Sequence, residues 1–325
     1  MNMRDMIERF PKLIEEGWSL GYQVKPRRNV TRVLFLGMGG SAISGDILSE
    51  VGKLESKVPM ETIRGYEVPA YVHRRTLVIA ISYSGNTEET ITALNAALER
   101  GATAICISSG GRIEEIAQEK GLDYIKIPSG YAPRAALPLL LFPVLNVLVR
   151  SRILKKLNVE KVIDAVSIVN PEDGEKLAKK IINGTPVVYG SGPFKAVAKR
   201  WANQFNENSK VLAFWGEFPE MNHNEIVGWH GDSLVRNFVP IILESGLEND
   251  RVKIRYELTE KLALRRADLV LRYRAKGEGI WERIMNAIYL GDWTSYYLAV
   301  LRKVDPLPVD IITELKKELS SRAVL

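Results

Sequence analysis

Apolar residues in this chain come in two alternating forms. Short runs are apolar throughout, and longer stretches carry them at helical spacing. Val33–Gly37, Glu61–Ile63, Leu77–Ile81, Ala104–Ser108 and Tyr124–Ile127 read as strands, and Ser44–Val51, Thr87–Arg100, Ile113–Lys120 and Arg134–Leu154 as helices. Runs with no polar alternation suit strands covered on both faces. Their alternation with helices therefore predicts a parallel sheet between helical layers. Ahead of the first run, Met6, Phe10, Leu13, Ile14 and Trp18 recur at helical spacing and predict a leading helix packed on that domain.

The pattern then restarts. Helical patterns at Leu157–Val169 and Pro171–Ile182 precede a strand, Pro186–Gly190, which runs through Ser191-Gly192-Pro193 into a helix, Phe194–Asn206. Further strands are expected at Lys210–Trp215, Leu234–Leu243 and Leu269–Tyr273, and a long apolar helix at Ile280–Val300. The fold class is α/β, with two doubly wound parallel-sheet domains. The boundary falls near Arg150–Leu157, giving a first domain of residues 1–152 and a second of 153–325 that ends in helices.

The length of 325 residues suits two domains, and 46% hydrophobic with 26% charged residues is ordinary for a globular protein. The most apolar segment, Ala135–Val149, is broken by Pro138 and Pro143 and is too short to span a bilayer. Arg4, Glu8 and Arg9 interrupt the N-terminus where a secretory signal would need an apolar core, so a cytoplasmic location is expected. A net charge of +6 is spread over short basic pairs such as Lys155–Lys156 and Lys179–Lys180, which argues against nucleic acid as a partner. The one cysteine, Cys106, lies in an apolar run and is expected to be a buried, inert thiol. No His or Cys pair has metal-ligand spacing, and neither a metal nor another cofactor is expected.

The candidate chemistry starts in two loops. Gly37-Met38-Gly39-Gly40-Ser41 follows the first strand, and Ser82-Tyr83-Ser84-Gly85-Asn86-Thr87 follows the third. A loop that opens a helix offers unpaired N–H groups and the positive end of the helix dipole, so two such loops on one sheet edge predict a phosphate site. A dinucleotide-binding reading of the first loop stays open, with Ala42 at the third fingerprint position. Three charged residues stand out elsewhere. Glu207 ends a helix just before a strand, Arg134 opens a very apolar segment, and His223 lies in a polar loop bounded by Trp215 and Trp229. An interior carboxylate or guanidinium is expensive unless paired or functional, and an imidazole can move protons near neutral pH.

The loops and the two halves resemble sugar isomerase (SIS) domains. Tyr131–Leu137, Asn206–Lys210, Pro219–Trp229 and Gly291–Ala299 resemble, in order, segments of the bifunctional phosphoglucose/phosphomannose isomerases. The resemblance implies two SIS domains and an aldose–ketose isomerase acting through a cis-enediol. Gly39, Ser41, Ser82, Ser84 and Thr87 would hold the sugar phosphate, Arg134 would stabilise the enediol charge, and Glu207 would move the proton between C1 and C2. His223 would assist ring opening from the neighbouring subunit, which implies a homodimer. Thr294, or Ser295 beside it, would leave room at C2 for both glucose and mannose epimers, and Arg302 or Lys303 would supply a further cation. The rival readings are a non-catalytic phosphosugar-binding SIS protein and a nicotinamide-dependent oxidoreductase.

Overall fold

The computed structural model describes residues 1–231 and 233–322. The first half contains α1 (Met3–Glu8), α2 (Phe10–Leu20), β1 (Arg32–Leu36), α3 (Gly39–Glu55), β2 (Met60–Ile63), β3 (Thr76–Ile81), α4 (Glu88–Glu99), β4 (Thr103–Ser108), α5 (Arg112–Glu119), β5 (Asp123–Lys126) and α6 (Leu137–Arg150). The second contains α7 (Val159–Ser167), α8 (Pro171–Ile181), β6 (Thr185–Ser191), α9 (Phe194–Ser209), β7 (Phe214–Phe218), α10 (Glu225–Gly231), β8 (Phe238–Glu244), α11 (Asp250–Leu262), β9 (Leu271–Arg274), α12 (Ile280–Leu301) and α13 (Asp310–Ser321).

Both sheets are parallel and follow the same plan. The first has the order β2-β1-β3-β4-β5 and the second β7-β6-β8-β9, so in each the chain starts inside the sheet, moves to one edge, and returns to build outward on the other side. Alternate side chains along the first sheet divide between two cores. Leu34, Val78, Ala80 and Cys106 pack under α4 and α5. Val33, Phe35, Ile79 and Ile105 join a larger core that also takes in α2, α3, α6, α9 and α12. The second sheet presents Val188 and Ile241 to that same core and Val187, Tyr189 and Ile242 to a smaller one closed by Trp229 and Tyr256. The two sheets thus sandwich one shared helical layer, which is the doubly wound architecture the strand–helix alternation predicts.

Several boundaries differ from the sequence reading for identifiable reasons. The leading helix is two helices because Pro11, at the start of α2, has no N–H to continue α1. The helix expected from Arg134 begins at Leu137; residues 133–135 form a 3₁₀ turn instead. The strand expected at Lys210–Trp215 is displaced to Phe214–Phe218 because the residues after α9 are used to cap it. The Lys210 backbone is left-handed (φ +53°), and the Val211 and Ala213 amides donate to Phe205 O (3.2 Å) and Asn206 Oδ1 (3.3 Å). The expected strand Leu234–Leu243 starts later, at Phe238, after a 3₁₀ turn. Pro186 and Pro240 are tolerated inside strands because each lies where only one neighbouring strand is paired.

Among the described residues no helix is long and apolar enough to cross a membrane. Cys106 is fully buried, and that burial pushes its thiol up to about 12. A thiol reagent at neutral pH should therefore label Cys106 only when the fold opens, at least about 1,000-fold slower in native buffer than in concentrated urea. Rapid labelling of the native protein would contradict the burial.

Candidate active site

In a sheet of order 2-1-3-4-5 the chain reverses direction between β1 and β3, and a crevice opens at their carboxyl ends. Both Gly/Ser loops lie there. Gly39 has a left-handed backbone (φ +49°) and nothing within 4 Å of a built Cβ, so the start of α3 is open. Met38 and Thr87, the N-caps of α3 and α4, provide no side-chain cap, which leaves first-turn N–H groups of both helices without side-chain partners. The loops are also joined to each other. Tyr83 N donates to Ser41 Oγ (3.3 Å), Ser82 Oγ lies 2.9 Å from Thr87 Oγ1, and Gly85 N donates to Ser82 Oγ (3.2 Å). Ser84 is exposed, and its Oγ accepts from Asn86 N (3.3 Å). The turn needs glycine at 85: φ is +73°, and a Cβ would lie 1.7 Å from Gly110 O.

The same scaffold positions Arg134. Tyr83 OH donates to Pro128 O (3.1 Å) and accepts from Tyr131 N (2.8 Å), which fixes the segment leading into the Pro133–Ala135 turn. A Cβ on Gly40 would lie 3.3 Å from the Arg134 Cα, so the turn sits against the start of α3. Arg134 is buried (3% exposed). Its Nε donates to Asn208 Oδ1 (2.6 Å) and its Nη2 to Pro306 O (2.6 Å) and Leu307 O (2.9 Å). Its Nη1 lies 3.5 Å from Glu207 Oε2, the carboxylate on the last turn of α9. Burial lowers the Arg134 pKa from its ordinary value, Glu207 opposes that, and Arg200 adds to it.

Arg134 closes a buried ring of polar groups. Asn208 Nδ2 donates to Ser295 Oγ (2.9 Å), and Ser295 Oγ donates to Asp292 O (2.9 Å). The Asp292 carboxylate accepts from Arg200 Nη2 (2.8 and 2.9 Å) and Gln204 Nε2 (2.7 Å), and Arg200 Nη2 returns to Arg134 O (3.0 Å). Full burial raises the Asp292 pKa, with Arg200 and Gln204 opposing the shift. Lys210 binds the outer side. Its Nζ donates to Glu207 O (2.5 Å) and Pro308 O (2.7 Å), and burial and the neighbouring Arg134 lower its pKa.

The structure thus brings together Gly39, Ser41, Ser82, Ser84 and Thr87 at one crevice, with Arg134 against the same helix start and Glu207 against Arg134. Thr294 is outside this group. It is fully buried in α12, its hydroxyl donates to Leu290 O (2.8 Å), and α8 approaches so closely that a Cβ on Gly174 would lie 3.0 Å from Thr294 N. Ser295 belongs to the ring beneath Arg134. His223 is exposed in a 3₁₀ turn and has no hydrogen-bond or ion-pair partner among the described residues. Arg302 and Lys303 are exposed; besides Arg134, the cation that reaches Glu207 is Lys210, through the backbone carbonyl. Sequence reasoning also missed Arg200, Gln204, Asn208 and Asp292; polar residues inside two apolar helix patterns were the available signal.

A separate cleft of about 500 Å³ lies between edge strands β2 and β7 and carries Lys195, Lys199 and Trp215. Its lysines are already paired, Lys195 with Glu50 (3.2 Å) and Glu217 (3.1 Å) and Lys199 with Asp46 (3.3 Å). We read it as an interdomain joint. Among the described residues no group of three or more His, Cys, Asp or Glu side chains could hold a metal ion.

The fold and the paired loops define a tandem SIS protein. The SIS domain profile matches residues 28–123. The profile described as bacterial phospho-glucose isomerase C-terminal SIS domain matches residues 170–319. The fold is shared with tagatose-6-phosphate ketose/aldose isomerase of Escherichia coli, with a TM-score of 0.74 over 94% of each chain at 14% identity. The chain is 35% identical to bifunctional phosphoglucose/phosphomannose isomerase of Caldicellulosiruptor bescii, over 98% of this chain and 99% of that one. It is 30% identical to D-glucosamine-6-phosphate 4-epimerase of Sulfolobus acidocaldarius, over 75% of this chain and 78% of that one. The chain belongs to the bifunctional phosphoglucose/phosphomannose isomerase family.

Removing one partner of a buried ion pair leaves the other charge uncompensated, which costs about 3–5 kcal/mol. Asp292→Asn should lower the unfolding free energy by about that amount in urea titration, while Ser84→Ala, at an exposed position, should change it by less than about 0.5 kcal/mol. A loss below about 1 kcal/mol for Asp292→Asn would show that the ring does not depend on the pair.

Proposed function

We propose that this crevice isomerises hexose 6-phosphates, interconverting glucose 6-phosphate and mannose 6-phosphate with fructose 6-phosphate. The observation that carries the reading is the buried Arg134 guanidinium, which presents Nη1 to the Glu207 carboxylate (3.5 Å) beside two open helix N-termini. The helix ends and the hydroxyls of Ser41, Ser82, Ser84 and Thr87 hold the phosphate and fix the far end of the sugar chain, converting binding into orientation.

With the sugar ring open, Glu207 takes the proton from C2 of the aldose. The C–H electron pair becomes the C1=C2 double bond, and the carbonyl electrons move to O1 and are stabilised by Arg134. Glu207 then returns its proton to C1 while the proton on O2 passes to O1, leaving the carbonyl at C2. The enediol is planar at C2. Glucose and mannose 6-phosphate, which differ only in configuration there, converge on one intermediate, so a single base serves both.

His223 is the candidate for ring opening, moving a proton between the anomeric hydroxyl and the ring oxygen. Its exposed position on a turn away from Arg134 supports supply from a neighbouring copy, and hence a homodimer. The similarity to a 4-epimerase favours one second reading, inversion at C4 of an amino sugar phosphate. Product analysis by NMR separates the two.

Glu207→Gln keeps the shape and hydrogen-bonding length of the side chain but not its basicity. It should lower kcat by about 10²- to 10⁴-fold while hexose 6-phosphate binding changes by less than about threefold. In D₂O the wild type should exchange solvent deuterium into C1 or C2, and the variant should not. Retained turnover in the variant would remove Glu207 from the base role.

A further inference from the structure

A further cleft, in the first half, is lined by arginines. It has a volume of about 610 Å³ and takes Arg27 and Arg28 from the segment before β1, and Arg150, Ser151 and Arg152 from the end of α6. Val30 and Val58 also line it and precede β1 and β2, so the cleft opens at the amino ends of the strands. The Gly/Ser crevice lies at their carboxyl ends. Helix α6 runs from the Arg134 turn to this cleft, and its 14 residues span about 21 Å, so the two places are separate.

Four guanidiniums line the cleft and no carboxylate does. Two of them have duties in the fold. Arg150 donates through Nε to Asn146 Oδ1 (2.7 Å) and through Nη2 to Gly21 O (2.6 Å) and Val24 O. Arg27 pairs through Nη2 with Asp123, the one carboxylate in contact with any of the four among the described residues. The Arg27 Nε, shut off from water, still has no acceptor. Arg28 and Arg152 are exposed, and their side chains have no hydrogen-bond or ion-pair partner among the described residues. Arg75 donates from Nε to Asn29 O (3.3 Å) on the rim and adds a fifth cation. Five cations around one paired carboxylate leave a positive potential in the cleft.

Arg152 also stands against its local preference. Its backbone is left-handed (φ +59°) just past α6, its amide donates to Val149 O (3.0 Å), and the Ile153 amide donates back to Leu148 O (2.9 Å). Glycine is the usual residue in this helix ending, because a Cβ is unfavourable there. Beside it, Ser151 Oγ accepts from Arg27 N (2.7 Å) and keeps its hydroxyl hydrogen to donate.

We propose that this cleft binds a small molecule bearing two or more phosphate groups. An arginine fork matches two phosphate oxygens at once, and Arg28 and Arg152 come from different segments, so each takes a phosphate of its own. Arg27 and Arg150, held by the fold, supply fixed charge behind them, and Ser151 supplies a further donor. A concave ring of charge suits a compact polyanion; an extended nucleic acid strand would need a basic stripe. Inorganic polyphosphate and a sugar bisphosphate share this chemistry.

The test is calorimetric titration of the full chain, at one fixed ionic strength, with tripolyphosphate and separately with fructose 1,6-bisphosphate. Wild type should bind at least one of them, and the tighter of the two identifies the source. Arg28→Ser and Arg152→Gly should each raise that dissociation constant at least about tenfold, the loss of one charge-assisted contact. Arg152→Gly should do so with a thermal midpoint no lower than wild type, because glycine suits that backbone. The proposal does not rest on the isomerase reading: neither variant touches the crevice, so hexose 6-phosphate turnover without added anion should be unchanged in both. Binding that the double variant leaves within about twofold of wild type would belong to the Gly/Ser crevice and, like no binding at all, would overturn the proposal.

Discussion

A guanidinium with almost no water around it must find acceptors elsewhere, and Arg134 finds them on separate stretches of chain. Asn208 and Glu207 come from the end of α9 and the carbonyls of Pro306 and Leu307 from the segment after α12, while the backbone carbonyl of Arg134 itself accepts from Arg200. Leaving such a group unpaired in the interior is far more costly than any one of these bonds is favourable, so the arrangement is held as a whole. Three of the four Arg134 contacts are to neutral oxygens. They fix the plane of the guanidinium and leave Nη1 as the nitrogen directed at Glu207. The charge that a reacting sugar would meet is therefore oriented before any ligand arrives, and little reorganisation remains for the reaction itself.

The helical layer between the sheets sets where that charge can act. Helices α3 and α9 contact through Glu50 with Lys195 and Asp46 with Lys199, so residue numbers rise along one helix as they fall along the other. The helices are thus antiparallel, and the end of α9, with Glu207 and Asn208, lies beside the start of α3, with Gly40 and Ser41. An acidic side chain at a helix C-terminus is not in its own preferred place, because the dipole there is negative. Arg134 and the positive end of α3 supply the compensation. Glu207 and the open helix start at Gly39–Ser41 thus belong to different sheets and meet because two helices cross in opposite directions.

Much of this architecture was legible in the amino-acid pattern. The apolar runs and intervening helical spacing located both sheets and their parallel sense, and the Gly and Ser residues after β1 and β3 located the crevice. Arg134 and Glu207 were visible because a charge beside an apolar helix, or at a helix–strand junction, conflicts with its surroundings. Strand β7 was misplaced because Lys210–Ala213 reads as extended chain, while their amides are used to cap α9, a tertiary decision that local pattern does not carry. The ring of Arg200, Gln204, Asn208, Asp292 and Ser295 was hidden for a related reason. Each residue alone resembles an ordinary polar position on a helix, and only the packing of α9 on α12 shows that all face inward. The surroundings of Thr294 were equally illegible: its motif gives no sign that it is fully buried in α12 against Gly174.

The two halves share a strand order but not a chemistry, and the difference lies in a few residues at equivalent turns. After β1 the chain opens a helix with glycines and Ser41, and neither that helix nor α4 receives a side-chain cap. After β6 the turn is Ser191-Gly192-Pro193, and the following helix begins with Phe194, which is buried, and Lys195, which is paired with Glu50 and Glu217. A cation already engaged by two carboxylates gives a phosphate little net attraction there. The second half contributes through the opposite end of the same helix, where Glu207, Asn208 and Lys210 emerge. Helix α9 is likewise uncapped, and a Cβ on Gly192 would meet nothing within 4 Å, so the two helix starts differ in their side chains and not in openness: one half places glycines and hydroxyls at the turn, and the other places there a lysine that ties the two sheets together.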